Sequence, residues 1–188
     1  LIFLGDVVGK SGRDAVAREL PLLRERFRPD IVVVNCENAA HGFGISQDIH
    51  QKLLGCGADV VTLGNHAFDQ RETLVFIERE PNLIRPLNWP AGCPGRGTCM
   101  VETAKGQRVL VMNAMGRVMI EPMLDDPFPA VGKELDQCRL GRDCDAILID
   151  FHAEVSSEKM AMGHYVDGRA SLLVGTHTHV PTSDHQIL

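Results

Sequence analysis

Residues 1–14 read LIFLGDVVGKSGRD. An apolar run, Leu1–Leu4, enters a Gly-containing loop and then a helical pattern. The Gly-Lys-Ser at Gly9–Ser11 invites comparison with a phosphate-cradling P-loop, which requires the spacing G-x-x-x-x-G-K-[ST]. Gly5 and Gly9 stand one residue too close to complete it. Asp6 would also set a carboxylate among amides meant for an anion, where it would repel phosphate. The stretch therefore reads as a strand, a turn and a helix, with Asp6 as a candidate cation ligand at the strand's carboxyl end. Gly9 and Gly12 let the chain turn, and Lys10 is a solvated loop residue.

The same unit recurs along the chain. Apolar, β-branched runs at Leu1–Leu4, Ile31–Val34, Val60–Leu63, Val109–Met112, Ala146–Ile149 and Leu172–Val174 are near-continuous, as strands covered on both faces should be. Helical patterns separate most of them. Val16, Leu20, Leu23 and Phe27 fall at helical spacing over 12–27. Ser46 is a candidate N-cap for a helix that stops near Gly55–Gly57. Further helices are expected over about 70–78, 129–140 and 156–164. The Pro- and Gly-rich stretch Arg85–Met100 reads as a loop or edge excursion, not a linker. Alternating strands and helices predict an α/β fold with a largely parallel core sheet.

In open α/β sheets, ligands bind outside the carboxyl ends of the strands. Five of the six runs end in chemistry there: Gly5-Asp6, Asn35-Cys36-Glu37-Asn38, Gly64-Asn65-His66, Asp150-Phe151-His152 and Gly175-Thr176-His177-Thr178-His179. Only Val109–Met112 runs into a bland segment, NAMGR. Asp, Glu, Asn and His are hard-to-borderline metal ligands. Each ending alone is ordinary turn or packing chemistry, but together they point to a cation site. His177 and His179, two apart on an extended segment, are expected to point the same way.

Composition bounds the partners. The net charge is −6 with an ordinary 44% hydrophobic content, and the arginines are scattered. The one small group, Arg24, Arg26 and Arg28, reads as the exposed end of a helix. Duplex nucleic acid is thus not an expected partner, whereas a small phosphate compound is allowed. No apolar run is long enough to span a membrane. The six cysteines contain no C-x-x-C pair and read as reduced thiols of a cytoplasmic protein. Cys36 reads as a packed thiol, not a ligand.

The order Asp6, Glu37-Asn38, Gly64-Asn65-His66, His152, Gly175-x-His177-x-His179 resembles the calcineurin-like metallophosphoesterases. Val8 stands where that family carries a His, Ala67 where it carries an acid, and Thr176 is inserted after Gly175. The segments GDVVGKSGR, ENAAHGFGI, TLGNHAFDQ, DFHAEVSSEK and GTHTHVPT are similar to the YmdB-type phosphodiesterase branch, in which Gly usually stands at the place of Cys36. The resemblance covers nearly the whole chain. It implies a layered α/β/β/α fold with metals at the strand ends. It also implies that residues 1–188 form a single metallophosphoesterase domain lacking C-terminal strands.

By position, the resemblance gives Asp6, Glu37, Asn38 and His179 to one divalent metal and Glu37, Asn65, His152 and His177 to a second, with Glu37 bridging. Fe or Mn is favoured over Zn because no thiolate is among the donors. A hydroxide shared by the ions would attack the phosphorus of a 2′,3′- or 3′,5′-cyclic nucleotide, and His66 would assist the leaving oxygen. Glu37 and Asn38, being neighbours, can converge only where their strand has ended. His41, in a Gly-rich loop, is a weak substrate-binding candidate. Phe43 and Trp89 could stack a base, although packing is the default for both. His50 and His164 read as surface or packing residues. The competing reading is a regulatory protein that binds a nucleotide or RNA end at its metals with little turnover. A homo-oligomer is compatible with the Pro/Gly-rich loop.

Overall fold

A computed structural model describes residues 1–188. Two four-stranded sheets carry the fold. The first has the order β1 (Ile2–Leu4), β2 (Val32–Asn35), β3 (Val60–Thr62), β4 (Leu83–Ile84), all parallel. The second has the order β5 (Thr98–Glu102), β6 (Arg108–Met115), β7 (Ala146–His152), β8 (Leu172–Thr176), and only the β5–β6 pair is antiparallel. Five helices complete it: α1 (Gly9–Phe27), α2 (Gln47–Gly55), α3 (Thr73–Phe76, continued by a 3₁₀ turn), α4 (Pro127–Gln137) and α5 (Ser156–Tyr165).

The alternation of side chains along each strand builds the layers. In β2, Val32 and Val34 face α1 and α2, while Val33 faces the other sheet. In β6, Leu110, Met112 and Ala114 face α4 and α5, while Val109 and Val111 face inward. Val33, Val60, Ile84, Val111 and Leu148 thus form a middle layer between the sheets. The result is the expected α/β/β/α sandwich, and it explains why the central strands β2, β3, β6 and β7 read as unbroken apolar runs: they are covered on both faces.

Several expectations are corrected. Two strands, β4 and the edge strand β5, lie in or beside the segment expected to be a loop or edge excursion, and the helix expected over about 70–78 is observed over 73–79 as α3 followed by one 3₁₀ turn. The rest of the Pro/Gly-rich stretch is irregular but ordered. Buried Arg85 donates to the carbonyls of Pro86, Cys93, Pro94 and Gly95 and so supplies the partners that a sheet would have given. Arg24 is no free helix-end cation: its guanidinium donates to the Gly57 carbonyl at 2.6 Å and pairs with Asp59. β6 does not end blandly at Met112. It runs to Met115, and buried Asn113 donates to the Asp150 carbonyl at 3.2 Å. Ser46 does cap α2, accepting from the Ile49 N–H at 3.2 Å. No helix is long and apolar enough to cross a membrane.

Candidate metal centre

The carboxyl ends of β1, β2 and β3 in one sheet and of β7 and β8 in the other meet at one edge of the sandwich. β2 ends at Asn35, so Glu37 and Asn38 stand in irregular backbone and are free of strand alternation. β3 ends at Thr62 and delivers Gly64, Asn65 and His66, while β7 ends at His152 itself. A Cβ on Gly64 would stand 2.5 Å from both the Glu37 carboxylate and the His152 ring. Glycine here is what lets the two sheets' functional groups touch.

Four of the expected residues converge on one point. His152 Nε2 lies 2.9 Å from Asn65 Oδ1, 3.1 Å from His177 Nδ1 and 3.2 Å from Glu37 Oε1. Ligand atoms of Glu37, His152 and His177 all fall within 4.8 Å of one another. Beside this cluster, His179 Nε2 lies 3.0 Å from Asn38 Oδ1, and Asp6 accepts the His177 N–H at 3.2 Å. Asp6, His177 and His179 all have left-handed backbone, with φ of 49°, 101° and 56°. His177 and His179 lie beyond the end of β8. Their orientations are therefore set by loop conformation and not by strand alternation, and they face different partners, His152 and Asn38, which corrects the expectation above. Held strain of this kind is typical of functional sites.

A further layer, absent from the sequence reading, fixes His152. Asp150 is fully buried and accepts from Asn35 Nδ2 at 2.9 Å, Thr62 Oγ1 at 2.5 Å and Thr176 Oγ1 at 2.7 Å. Thr176 has one hydroxyl proton, and it goes to Asp150. Its oxygen therefore accepts from His152 Nδ1–H at 2.8 Å, which leaves Nε2 bare toward the cluster. His177 is turned in a similar way: its Nε2 faces Glu154 Oε2 at 3.2 Å, so that Nδ1 points inward. An imidazole whose second nitrogen donates to an oxygen is the usual support of a metal ligand. The sequence signal for Asp150 was its place two residues before His152 on the same strand face.

Electrostatics fit a cation. Burial alone would raise the Glu37 carboxyl, but the hydrogen bond and charge of His152 and the His66 N–H outweigh it, and the net shift is downward. Burial opposes charge on His152, yet Glu37 and Asp150 carry its pKa upward. His177 is shifted down by burial and by His152. A lone proton at His152 Nε2 can satisfy only one of the three acceptors around it. A divalent ion held by Glu37, Asn65, His152 and His177 would satisfy all of them at once. Cys36 is buried, and burial together with Asp6 pushes its thiol up, so it stays protonated and packs. Lys159 was also missed. Its stem crosses Gly175, where a Cβ would stand 2.8 Å from Lys159 Cδ, and Asp6 and Glu154 are the carboxylates that act on it most.

His66 belongs to neither ligand group. Its N–H donates to Glu37 Oε2 at 3.1 Å, its Nδ1 lies 2.7 Å from Asp69 Oδ2, and its ring meets Phe43 edge-on. His41 is exposed at the tip of the neighbouring loop. Trp89 packs with Phe68, Met115, Ile120 and Leu124. Phe43 departs from the packing expected of it and is 56% exposed.

The sandwich, with these donors gathered at its strand ends, matches the phosphatase-type fold that the sequence resemblance implied. The chain belongs to the YmdB-like protein family, whose profile matches residues 2–188. A Bacillus subtilis relative, a 2′,3′-cyclic-nucleotide 2′-phosphodiesterase, is 46% identical over 188 residues, which are all of this chain and 70% of that protein. A crystal structure of a protein from Thermus thermophilus superposes with a TM-score of 0.90 at 45% identity, covering 99% of this chain and 70% of that one. A Mycoplasma pneumoniae structure described as a novel phosphatase gives a TM-score of 0.88 at 35% identity, covering 99% and 66%. The chain thus spans about two thirds of the length of these relatives.

Proposed function

We propose that this chain is a metal-dependent phosphodiesterase acting on cyclic nucleotides, with 2′,3′-cyclic nucleoside monophosphates as the first substrates and 3′,5′-cyclic ones as the second. The observation that carries this reading is the convergence of Glu37, Asn65 and His177 on the bare Nε2 of His152. The identity of the Bacillus subtilis relative supports the substrate class. We read residues 1–188 as one metallophosphoesterase domain.

Glu37, Asn65, His152 and His177 would hold one divalent ion. Asp6, Asn38 and His179, sharing Glu37, would hold the other. When bound, such a pair acidifies water and offsets the charge of a phosphodiester. The all-nitrogen-and-oxygen donor set, with the only nearby thiol kept protonated, favours Fe or Mn over Zn. The chain's own groups do the rest. Asn35 accepts the Glu37 N–H at 3.3 Å and so ties the shared carboxylate to the Asp150 network. Asp69 on the Nδ1 side of His66 leaves Nε2 as the working end, where it donates a proton to the departing ribose oxygen.

Metal-reconstituted protein is expected to hydrolyse 2′,3′-cyclic AMP, and chelation should abolish the activity. His66→Ala should keep its metal content while kcat falls about 10²–10⁴-fold. Loss of metal together with activity would remove His66 from the acid role. Tight nucleotide binding without turnover in the metal-loaded parent would favour a regulatory protein instead.

A further inference from the structure

We infer that Phe43 is the platform on which the substrate's nucleobase stacks, so that the site selects nucleoside phosphodiesters over diesters lacking an aromatic base. This rests on the phosphodiesterase reading above and adds a subsite to it. Burial of an apolar ring is favourable, yet Phe43 is left 56% exposed. Isolated exposed apolar side chains are ordinary, so exposure alone decides nothing. What distinguishes Phe43 is where it stands and how firmly it is held.

The loop that carries it begins at two candidate ligands and is tied back to both. The Gly44 N–H donates to the Glu37 carbonyl at 2.5 Å, and the Gly42 N–H donates to the Asn38 carbonyl at 3.0 Å. Asn38 Nδ2 donates to the Gly42 carbonyl at 3.0 Å. The Phe43 N–H reaches the Ala40 carbonyl at 3.1 Å, and the Phe43 carbonyl accepts from Gln70 Nε2 at 2.6 Å. Gly44, at φ +73°, lies so close to the segment bearing His66 that a Cβ would meet the His66 carbonyl at 3.1 Å. Both main-chain groups of Phe43 are therefore anchored, which fixes the point on the loop from which the ring projects.

The ring stands beside the group assigned to the leaving oxygen. Its centroid is 5.0 Å from that of His66, with the planes at 85°. An edge contact of this kind leaves ring surface open, as the exposure shows. In a 2′,3′-cyclic nucleotide the base is joined a few bonds from the ribose oxygens, so an oxygen held at His66 brings the base within reach of this ring. Trp89, the other aromatic considered for the role, is packed against Phe68 and core residues. Aromatic stacking on a base is worth about 1–3 kcal/mol and is tolerant of base identity, so the subsite should require a base without choosing among bases.

The test compares metal-loaded parent, Phe43→Ala and Phe43→Trp on 2′,3′-cyclic AMP and on methyl riboside 2′,3′-cyclic phosphate, which has no base. Phe43→Ala should raise KM for the adenosine diester about 5- to 100-fold with kcat little changed, leave the baseless diester unaffected, and be rescued by Phe43→Trp. Equal loss on both substrates would mean that the ring merely props His66 and would overturn the inference, as would no loss on either. Calorimetric binding of 3′-AMP and of inorganic phosphate separates this from the parent reading. If the parent hydrolyses neither diester, phosphodiesterase activity is what has failed. The base platform then survives only if Phe43→Ala weakens 3′-AMP and not phosphate.

Discussion

Two histidines of this chain, His50 in α2 and His152 at the end of β7, are both wholly shielded from solvent. Their surroundings are opposites. His152 has a partner on each side: Thr176 on one nitrogen and Glu37, Asn65 and His177 around the other. His50 has no hydrogen-bond partner on either nitrogen. Its nearest acid is Glu80 at 3.7 Å, and its ring lies 6.2 Å from that of Phe76. Burial lowers both, yet the net shifts are opposite, His50 downward and His152 upward, because only His152 has carboxylates close enough to overcome desolvation. A buried histidine marks a site by the convergence around it, not by its depth.

Removing each ring tests that contrast most sharply. His152→Ala should abolish retention of bound metal and lower phosphodiesterase turnover by roughly 10⁴-fold or more, the scale of removing one member of a catalytic unit. His50→Leu should leave metal content and kcat within about 2-fold of the parent, as changes remote from a site generally do. Elemental analysis of the purified proteins, with steady-state kinetics, reads both. Equal metal loss in the two variants would erase the distinction.

A smaller effect is expected one step back from the ligands. Thr176→Val preserves shape but removes the donor to Asp150 and the acceptor for His152 Nδ1–H. Metal affinity should fall about 10–100-fold, measured by competition with a chromophoric chelator, with the fold retained by circular dichroism. An unchanged affinity would mean that Glu37 and the sheet backbone orient His152 unaided.

The layers were readable in the sequence because local pattern dictates them. Val32–Val34, Val60–Val61 and Ile147–Ile149 are continuous apolar runs, and only a strand covered on both faces has use for one. The edge where ligands gather was also readable, since each donor lies at its strand's carboxyl end or a few residues beyond it. Partnership across the chain was not. Asp150 draws on Asn35, 115 residues away, and on Thr62, 88 residues away, and no local pattern encodes which polar residue a buried carboxylate will meet. β5 was hidden by the Pro- and Gly-rich stretch before it: an edge strand with half-exposed residues lacks the apolar run that revealed the others. Strand alternation was expected to turn His177 and His179 the same way, but it cannot act beyond Thr176, where β8 stops, and the two rings meet different partners, His152 and Asn38.

The smallest predicted effect concerns His50 alone. Burial disfavours its imidazolium, and Glu80 opposes this only in part, so its pKa in the folded chain lies below the ordinary value. The unfolded chain, with a histidine pKa near 6.5, then binds the proton more readily than the folded one. Stability from this group is complete above about pH 6.5 and is lost as the pH falls toward the folded value, with a slope no steeper than about 1.4 kcal/mol per pH unit. His50→Leu removes the proton-binding difference and two buried nitrogens without partners. The difference between the urea midpoints of variant and parent should therefore widen between pH 7.5 and pH 5.5, with the parent losing stability relative to the variant as the pH falls. Taking the difference between the two proteins cancels the titration of Glu37 and His152, which both share. Parallel pH profiles would show that the folded chain admits the proton at His50 after all, with Glu80 as its partner, and the contrast between the two buried rings would then be one of degree.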